Sequence, residues 1–312
     1  MSKLIVSSPP HIRAEDTTQS IMLDVIIALL PAVATGIYFF GYRAGAIVAI
    51  TVLAAVLFEY LWNYMFKKPS TIWDLSAIVA GIILALNLPP TVPLWIPVIG
   101  SFFMIVIVKM CFGGLGQNFM NPAAAARAFL MASWLPHMTK FVLPGTPLGF
   151  MSNADVTSTA TPLSGLLDKM PSQMDMYLGK IGGCIGEVST VALLLGGLYL
   201  LYRRVISWQI PVAYLGTVAA LAAIFGQDPM FHLLAGGLML GAIFMATDYT
   251  TSPVTPFGKW IYGIGLGGIT VLIRLKGGYP EGVCYSILLM NVISPLIDKF
   301  TPPRRFGGKL NV

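Results

Sequence analysis

Ala44-Gly45-Ala46-Ile47-Val48-Ala49-Ile50-Thr51-Val52-Leu53-Ala54-Ala55-Val56-Leu57-Phe58-Glu59-Tyr60-Leu61 holds one carboxylate in an otherwise uncharged, mostly apolar run. About 20 residues of this kind are what a helix needs to cross the hydrocarbon layer of a bilayer. Gly182–Tyr202 repeats the pattern later in the chain. Of 312 residues, 56% are hydrophobic and only 10% charged, and the mean hydropathy is +0.78. Such a composition cannot cover a water-facing surface without large apolar patches. Open strands would leave backbone groups unpaired in lipid, so the sequence predicts an all-α, polytopic membrane protein.

Ten helical segments are expected: Ile21–Phe40, Ala44–Phe66, Leu75–Leu88, Trp95–Phe112, Asn121–Trp134, Lys180–Tyr202, Trp208–Phe225, Phe231–Ala246, Trp260–Ile273 and Val283–Leu296. Leu75–Leu88, Asn121–Trp134 and Trp260–Ile273 would each reach only about 21 Å at about 1.5 Å per residue, against a core of about 30 Å. Flanking Pro and Gly mark these as broken or partial crossings. The breaks recur: Asn121-Pro122 and Thr255-Pro256 are 134 residues apart, Pro90 and Pro229 are 139 apart. A near-constant offset suggests a duplicated unit, and five helices per unit, an odd number, would turn the second copy upside down. Inverted repeats of this kind put half-helix ends near the midplane, where a ligand can be bound. The expected organisation is an N-terminal segment 1–20, a first five-helix repeat 21–134, a loop 135–179, a second repeat 180–298 and a tail 299–312.

The placement of charge sets the expected topology. With the N-terminus inside, the cytoplasmic flanks hold 11 basic residues, among them Lys67, Lys68, Arg203 and Arg204, and the outer flanks hold 6: Arg43, Lys140, Lys169, Lys180, Arg274 and Lys276. That bias puts both termini in the cytoplasm and loop 135–179 on the outer face. The net charge of +6 is therefore a topology signal, with no nucleic-acid partner implied. The polar stretch up to Ser20, with Pro9, Pro10, Glu15 and Asp16, does not have the form of a cleaved leader.

Ionisable groups within or beside helices are costly by about 2.5 kcal/mol or more and each wants a partner, a water cavity or an interface. Asp24, Glu59 and Asp248 are read as interfacial or packing residues. Arg127, on a short helix after four alanines, is a candidate partner for a ligand phosphate or an acidic neighbour, and Glu187, one to two turns inside its helix, is a candidate for a cation route. Lys109 is left without a role. Cys111, Cys184 and Cys284 read as buried small hydrophobes, and His11, His137 and His232 have no ligand-like spacing, so no metal site is expected. No Walker loop, dinucleotide fingerprint or iron–sulfur cysteine set is present in the sequence.

The longest polar loop holds Asp155-Val156-Thr157-Ser158-Thr159-Ala160-Thr161-Pro162-Leu163. With Ser7–His11, Gly113–Ala123, Phe244–Asp248, Pro256–Gly258, Tyr279–Gly282, Asn291 and Pro295–Asp298, it makes the chain resemble, nearly end to end, the D subunit of the Rnf complex and the related B subunit of the sodium-pumping NADH:quinone oxidoreductase. The resemblance implies that a flavin transferase joins FMN covalently, by its phosphate, to the Thr161 hydroxyl, reading a motif whose positions here are Asp155, Ser158 and Ala160. Many relatives have Gly where this chain has Thr159. The resemblance further implies non-covalent riboflavin, for which the Gly-rich breaks at Gly113–Asn121 and Thr250–Gly258 are the candidate cradle. It implies partners (the A, B, C, E and G subunits of an Rnf complex) and a place in the bacterial cytoplasmic (inner) membrane. The expected function is that of a flavoprotein subunit, not catalytic alone, coupling electron transfer between ferredoxin and NAD to sodium or proton translocation. The quinone-reducing relative has a longer N-terminal extension than the roughly twenty residues here. A channel without redox function is the other alternative, because the family's inverted five-helix repeats resemble those of urea transporters.

Overall fold

The computed structural model describes residues 16–144, 173–179, 181–277 and 282–302, and among these the chain is helical, with no strand. Helix α1 (Thr18–Phe40) starts where Thr17 and Ser20 cap each other: the Thr17 hydroxyl accepts from Ser20 N–H at 3.2 Å and Ser20 Oγ accepts from Thr17 N–H at 3.0 Å. Gly41, at φ 71°, closes α1 and opens α2 (Tyr42–Met65). Their 23 and 24 residues give about 35 Å each, enough to span the hydrocarbon core. Helix α3 (Ser76–Leu86) is only 11 residues long and stops at Asn87-Leu88-Pro89-Pro90. Helix α4 (Trp95–Phe102) continues as a π-helical stretch, Phe103–Met110. Helix α5 (Pro122–Ser133) follows the glycine-rich segment, its Asn121 side chain accepting from Ala124 N–H. Two short helices, α6 (Leu135–Met138) and α7 (Gln173–Leu178), flank residues 145–172.

The second half holds α8 (Thr190–Tyr202), α9 (Gln209–Ile224), α10 (Pro229–Leu234), α11 (Leu238–Leu240) with its π-helical continuation Gly241–Met245, α12 (Pro256–Lys276) and α13 (Val283–Phe300). A feature recurs between halves. In each, a short helix breaks, a π-helical stretch follows, and a further helix starts at a capped Asn-Pro or Thr-Pro pair. Among the described residues, four helices (α1, α2, α12 and α13) are long and apolar enough to cross a membrane, and shorter apolar helices accompany them. One apolar core runs through both halves, while Leu53, Leu57, Leu195, Leu198, Leu272 and Val292 stay exposed. An apolar exterior of this kind is what lipid or a membrane partner covers. The chain is a multi-pass membrane protein.

Small residues let the helices approach closely, the usual source of packing energy where lipid removes the hydrophobic drive between helices. Gly263 and Gly267 of α12 face α9, where a Cβ on either would lie 2.5 Å from the Cβ of Ala213 or Thr217. At Gly196 of α8, a Cβ would overlap the carbonyl oxygen of Ala28 on α1.

Three expected helices differ from those observed. Trp260–Ile273 is not a partial crossing: α12 runs 21 residues, Pro256–Lys276, because Pro256 occupies the first helical position behind the Thr255 cap and so starts the helix. Phe231–Ala246 is not one helix but two, parted at Ala235-Gly236-Gly237, where both glycines have positive φ. Lys180–Tyr202 is helical only from Thr190, so Glu187 lies in a turn before α8 and not inside a helix. The short α3 and α5, at 11 and 12 residues, agree with the expectation of partial crossings.

Replacing Gly196 by Val forces α1 and α8 apart, and overpacking of this kind costs about 1–3 kcal/mol or more. Gly216 has nothing within 4 Å of a built Cβ. Thermal unfolding of the detergent-solubilised protein is therefore expected to fall clearly for Gly196→Val and to stay level or rise slightly for Gly216→Ala.

Candidate cofactor cleft and the buried charge pairs

The broken helices leave carbonyls without helical partners, and several are met from elsewhere in the chain. Gly186 N–H donates to Leu86 O at 2.8 Å and Ile185 N–H to Leu88 O at 3.0 Å, so segment 181–189 covers the end of α3. Arg43, 3% exposed, donates from Nε to Pro90 O at 3.0 Å and from a terminal nitrogen to Val92 O at 3.1 Å. At the second break Arg274 donates to His232 O at 2.5 Å and to Ala235 O at 2.8 Å. Both arginines, counted from sequence as outer-flank charges, are thus spent on backbone.

Behind α3 the structure brings together Arg127 and Glu187, the two ionisable candidates from sequence. Arg127 donates to Asn87 Oδ1 at 2.6 Å, to Glu187 Oε1 at 3.4 Å and to Cys184 Sγ at 3.5 Å, and both charged side chains are 4% exposed. Glu187 also accepts from Cys184 N–H at 3.3 Å. The carboxylate presses on the second break, where a Cβ on Gly237 would come within 2.6 Å of Glu187 Oε1.

A second buried pair went unrecognised in the sequence. Lys109, in the π-helical stretch, donates to Glu59 Oε2 at 2.8 Å and to Ser76 Oγ at 2.6 Å, with Glu59 fully buried. Thr71 donates to the other Glu59 oxygen, Asn63 donates to Thr71, and Ser76 donates to Asp74. The signal was one unpaired charge of each sign in two apolar runs 50 residues apart. Asp24 is held at the α1–α8 contact by Tyr199 OH at 2.7 Å and Arg203 at 3.1 Å, which fits the packing role expected of it.

Between these elements lies a cleft of about 810 Å³, part of it open to its surroundings, walled by α1, α3, the two π-helical stretches and the loops that follow them. The loops clasp each other: Asn118 Nδ2 donates to Thr250 Oγ1 at 2.9 Å and Asn121 Nδ2 to Met245 O at 3.2 Å. With its amide oriented to satisfy its neighbours, Asn291 accepts from Asn121 N–H at 2.9 Å and fixes the start of α5. Asp248 accepts from Thr250 Oγ1 at 3.0 Å and Thr251 Oγ1 at 3.2 Å, within its own turn. The lining includes apolar side chains from Val25, Val79, Ile83 and Phe244 and polar ones from Lys109, Asn118, Asn121, Asp248 and Thr250. The lining is that of a small-molecule site, with apolar surface for bulk and a few polar groups for orientation. Of the two glycine-rich breaks expected to form a cradle, Gly113–Asn121 contributes Leu115, Asn118 and Asn121, while Thr250–Gly258 contributes only Thr250.

Asp155, Ser158, Ala160 and Thr161 lie outside the described residues. Among the described residues no three His, Cys, Asp or Glu side chains are grouped to hold a metal ion. The expectation that all three cysteines are buried fails at Cys111, which is exposed where the π-helical stretch ends and the chain turns into Gly113-Gly114; Cys184 and Cys284 are buried.

Residues 5–307 match the model of the NQR2, RnfD, RnfE family. The chain is 56% identical over 310 residues to the D subunit of a Na(+)-translocating ferredoxin:NAD(+) oxidoreductase complex from Acetobacterium woodii, covering 97% of this chain and 95% of that one. It is 47% identical to the D subunit of a proton-translocating ferredoxin:NAD(+) oxidoreductase complex from Clostridium ljungdahlii, covering 97% and 96%. It is 41% identical to the D subunit of an ion-translocating oxidoreductase complex from Stutzerimonas stutzeri, covering 92% and 91%. By match length and identity alike, the chain belongs to the NQR2, RnfD, RnfE family.

Proposed function

We propose that this chain is the membrane flavoprotein subunit of an Rnf-type complex, in which electron transfer between ferredoxin and NAD drives sodium ions or protons across the cytoplasmic membrane. The observation that carries the reading is the end-to-end similarity to the D subunits of such complexes together with the motif Asp155, Ser158, Ala160 and Thr161. A relative named for sodium and one named for protons are both close, so similarity leaves the ion open.

In this reading the flavins supply the one- and two-electron chemistry and the protein supplies binding, orientation and electrostatics. The Thr161 hydroxyl holds FMN through a phosphoester, attached by a flavin transferase that reads Asp155, Ser158 and Ala160. The cleft holds a second, non-covalent flavin ring of the riboflavin kind, with Val79 and Phe244 among its apolar contacts and Asn118 and Asn121 among its polar ones. Its working partners are the A, B, C, E and G subunits.

We also read the fold as two five-helix repeats in opposite orientation, 21–134 and 180–298, joined by the flavin-bearing loop 135–179. The recurrence of broken helix, π-helical stretch and capped helix start supports this. Both termini are placed in the cytoplasm and the loop on the outer face. Since Arg43 and Arg274 are bound to carbonyls, two of the six basic residues on the outer flanks are not solvated flank charges, which supports that orientation.

On a denaturing gel under ultraviolet light, protein from a host with the flavin transferase is expected to give a fluorescent band that disappears in Thr161→Ala. A colourless band from the unaltered chain would favour a channel. Asp155→Ala is expected to lower flavin attachment severalfold with the thermal unfolding of the membrane domain unchanged; normal loading would remove the motif from the mechanism. Acid extraction of native Thr161→Ala protein is expected to release riboflavin from the cleft, and extracts free of flavin would leave the second ring without support.

A further inference from the structure

Lys109 and Asp248 are the charged residues lining the cleft. Asp248 is turned on its own loop, accepting from the backbone and hydroxyl of Thr250 and from the hydroxyl of Thr251. Lys109 is different. An ammonium group has three N–H donors, and those of Lys109 serve Glu59 at 2.8 Å and Ser76 at 2.6 Å, which accounts for two. Ser76 lines the cleft beside Lys109, whereas Glu59 does not. Glu59 is fully buried and is not part of the cleft wall, and among the described residues the third N–H of the ammonium has no hydrogen-bond partner. The π-helical register sets this position: the widened turn carries Lys109 O to Gly114 N–H at 3.0 Å and Val106 O to Cys111 N–H at 3.0 Å. The N-terminus of α5, at Asn121 and Pro122, opens on the same cleft and adds the positive end of a 12-residue helix.

Both features favour negative charge on the occupant. Resting on the reading that a flavin ring occupies the cleft, we propose that Lys109 stabilises the reduced, anionic form of that ring through its free N–H and its charge, with Glu59 as the positioning residue that holds the ammonium in place. A neutral oxidised ring that takes up two electrons from a neighbouring iron–sulfur or flavin carrier of the complex, and one proton from water, bears one negative charge on its pyrimidine portion. A fixed cation at that edge binds this form more tightly than the neutral one. The bias is built before the electrons arrive, so no side chain has to move.

The test uses the full-length Thr161→Ala chain, stripped of flavin in detergent, with oxidised riboflavin and dithionite-reduced riboflavin as probes in equilibrium dialysis above neutral pH. The parent is expected to bind reduced riboflavin more tightly than oxidised. Lys109→Met is expected to lose at least tenfold of that preference, equivalent to about 30 mV in a two-electron couple, with smaller loss of affinity for the oxidised ring, and Lys109→Arg is expected to keep it. Since Lys109→Met strands the Glu59 carboxylate, the double variant Glu59→Gln, Lys109→Met removes both charges and serves if the single variant does not fold. Lys109→Met or the double variant retaining the parent's preference would overturn the role of Lys109. Failure of the parent to bind either probe would instead overturn the occupancy of the cleft, and the two failures are distinguishable.

Discussion

Every backbone carbonyl exposed by a broken helix inside a membrane has to find a donor, since no water is there to replace the lost intrahelical bond and each orphan costs several kcal/mol. The whole centre of this protein is arranged around that constraint. The end of α3 is met by the amides of Ile185 and Gly186, the Pro90–Val92 turn by Arg43, and the end of α10 by Arg274. Because the donors come from remote segments, satisfying the breaks also ties the two halves into one core. Segment 181–189 is the clearest case: it gives up helical bonds of its own to satisfy those of another element.

The breaks in turn create the cleft. A continuous helix would fill the space between α1 and the second half with its own side chains. Where α3 and α10 stop short and the chain re-enters as π-helical stretches and loops, polar groups reach the interior without becoming orphans. Asn118 and Asn121 are bonded to Thr250 and to the Met245 carbonyl, so two of the polar side chains in the cleft wall are fixed in place by the chain itself. A site of this kind is preorganised on short, well-capped elements, which is what positioning a redox ring requires.

Hydropathy made the membrane-embedded helical class, the breaks near Pro90 and the short α3 and α5 legible from sequence. It failed where it reports burial but not dihedral angles. Gly182–Ser189 is apolar enough to extend α8, yet its amides are needed by Leu86 and Leu88, so it is not helical. Thr255-Pro256 looks like a breaker, and only its position, ahead of a run with no competing partner, turns it into a cap. Arg127 and Glu187 stood out as charges in apolar surroundings, but their union depends on a contact across 60 residues that no local pattern encodes. Lys109 was harder still, because its register against Glu59 and the cleft is set by the π-helical turns, which carry no sequence signal of their own.

The two buried pairs differ in a way that separates structure from function. Replacing a buried ion pair by packed apolar residues is often neutral or stabilising by about 1–4 kcal/mol, so neither pair is accounted for by stability alone. Arg127 and Glu187 hold the two breaks against each other: the guanidinium is bonded to Asn87 of the first break and the carboxylate lies against Gly237 of the second. Specificity of packing is sufficient reason for that pair. Glu59 and Lys109 join α2 to the π-helical stretch, whereas α4, just before it, is joined to α2 by a single neutral hydrogen bond from Ser101 Oγ to Thr51 O at 3.0 Å. What the second pair adds is a lysine in the wall of a cleft, with a counter-ion that is not part of that wall. In the proposed reading, a charge so placed serves the occupant of the cleft and the sign of the charge that the occupant acquires.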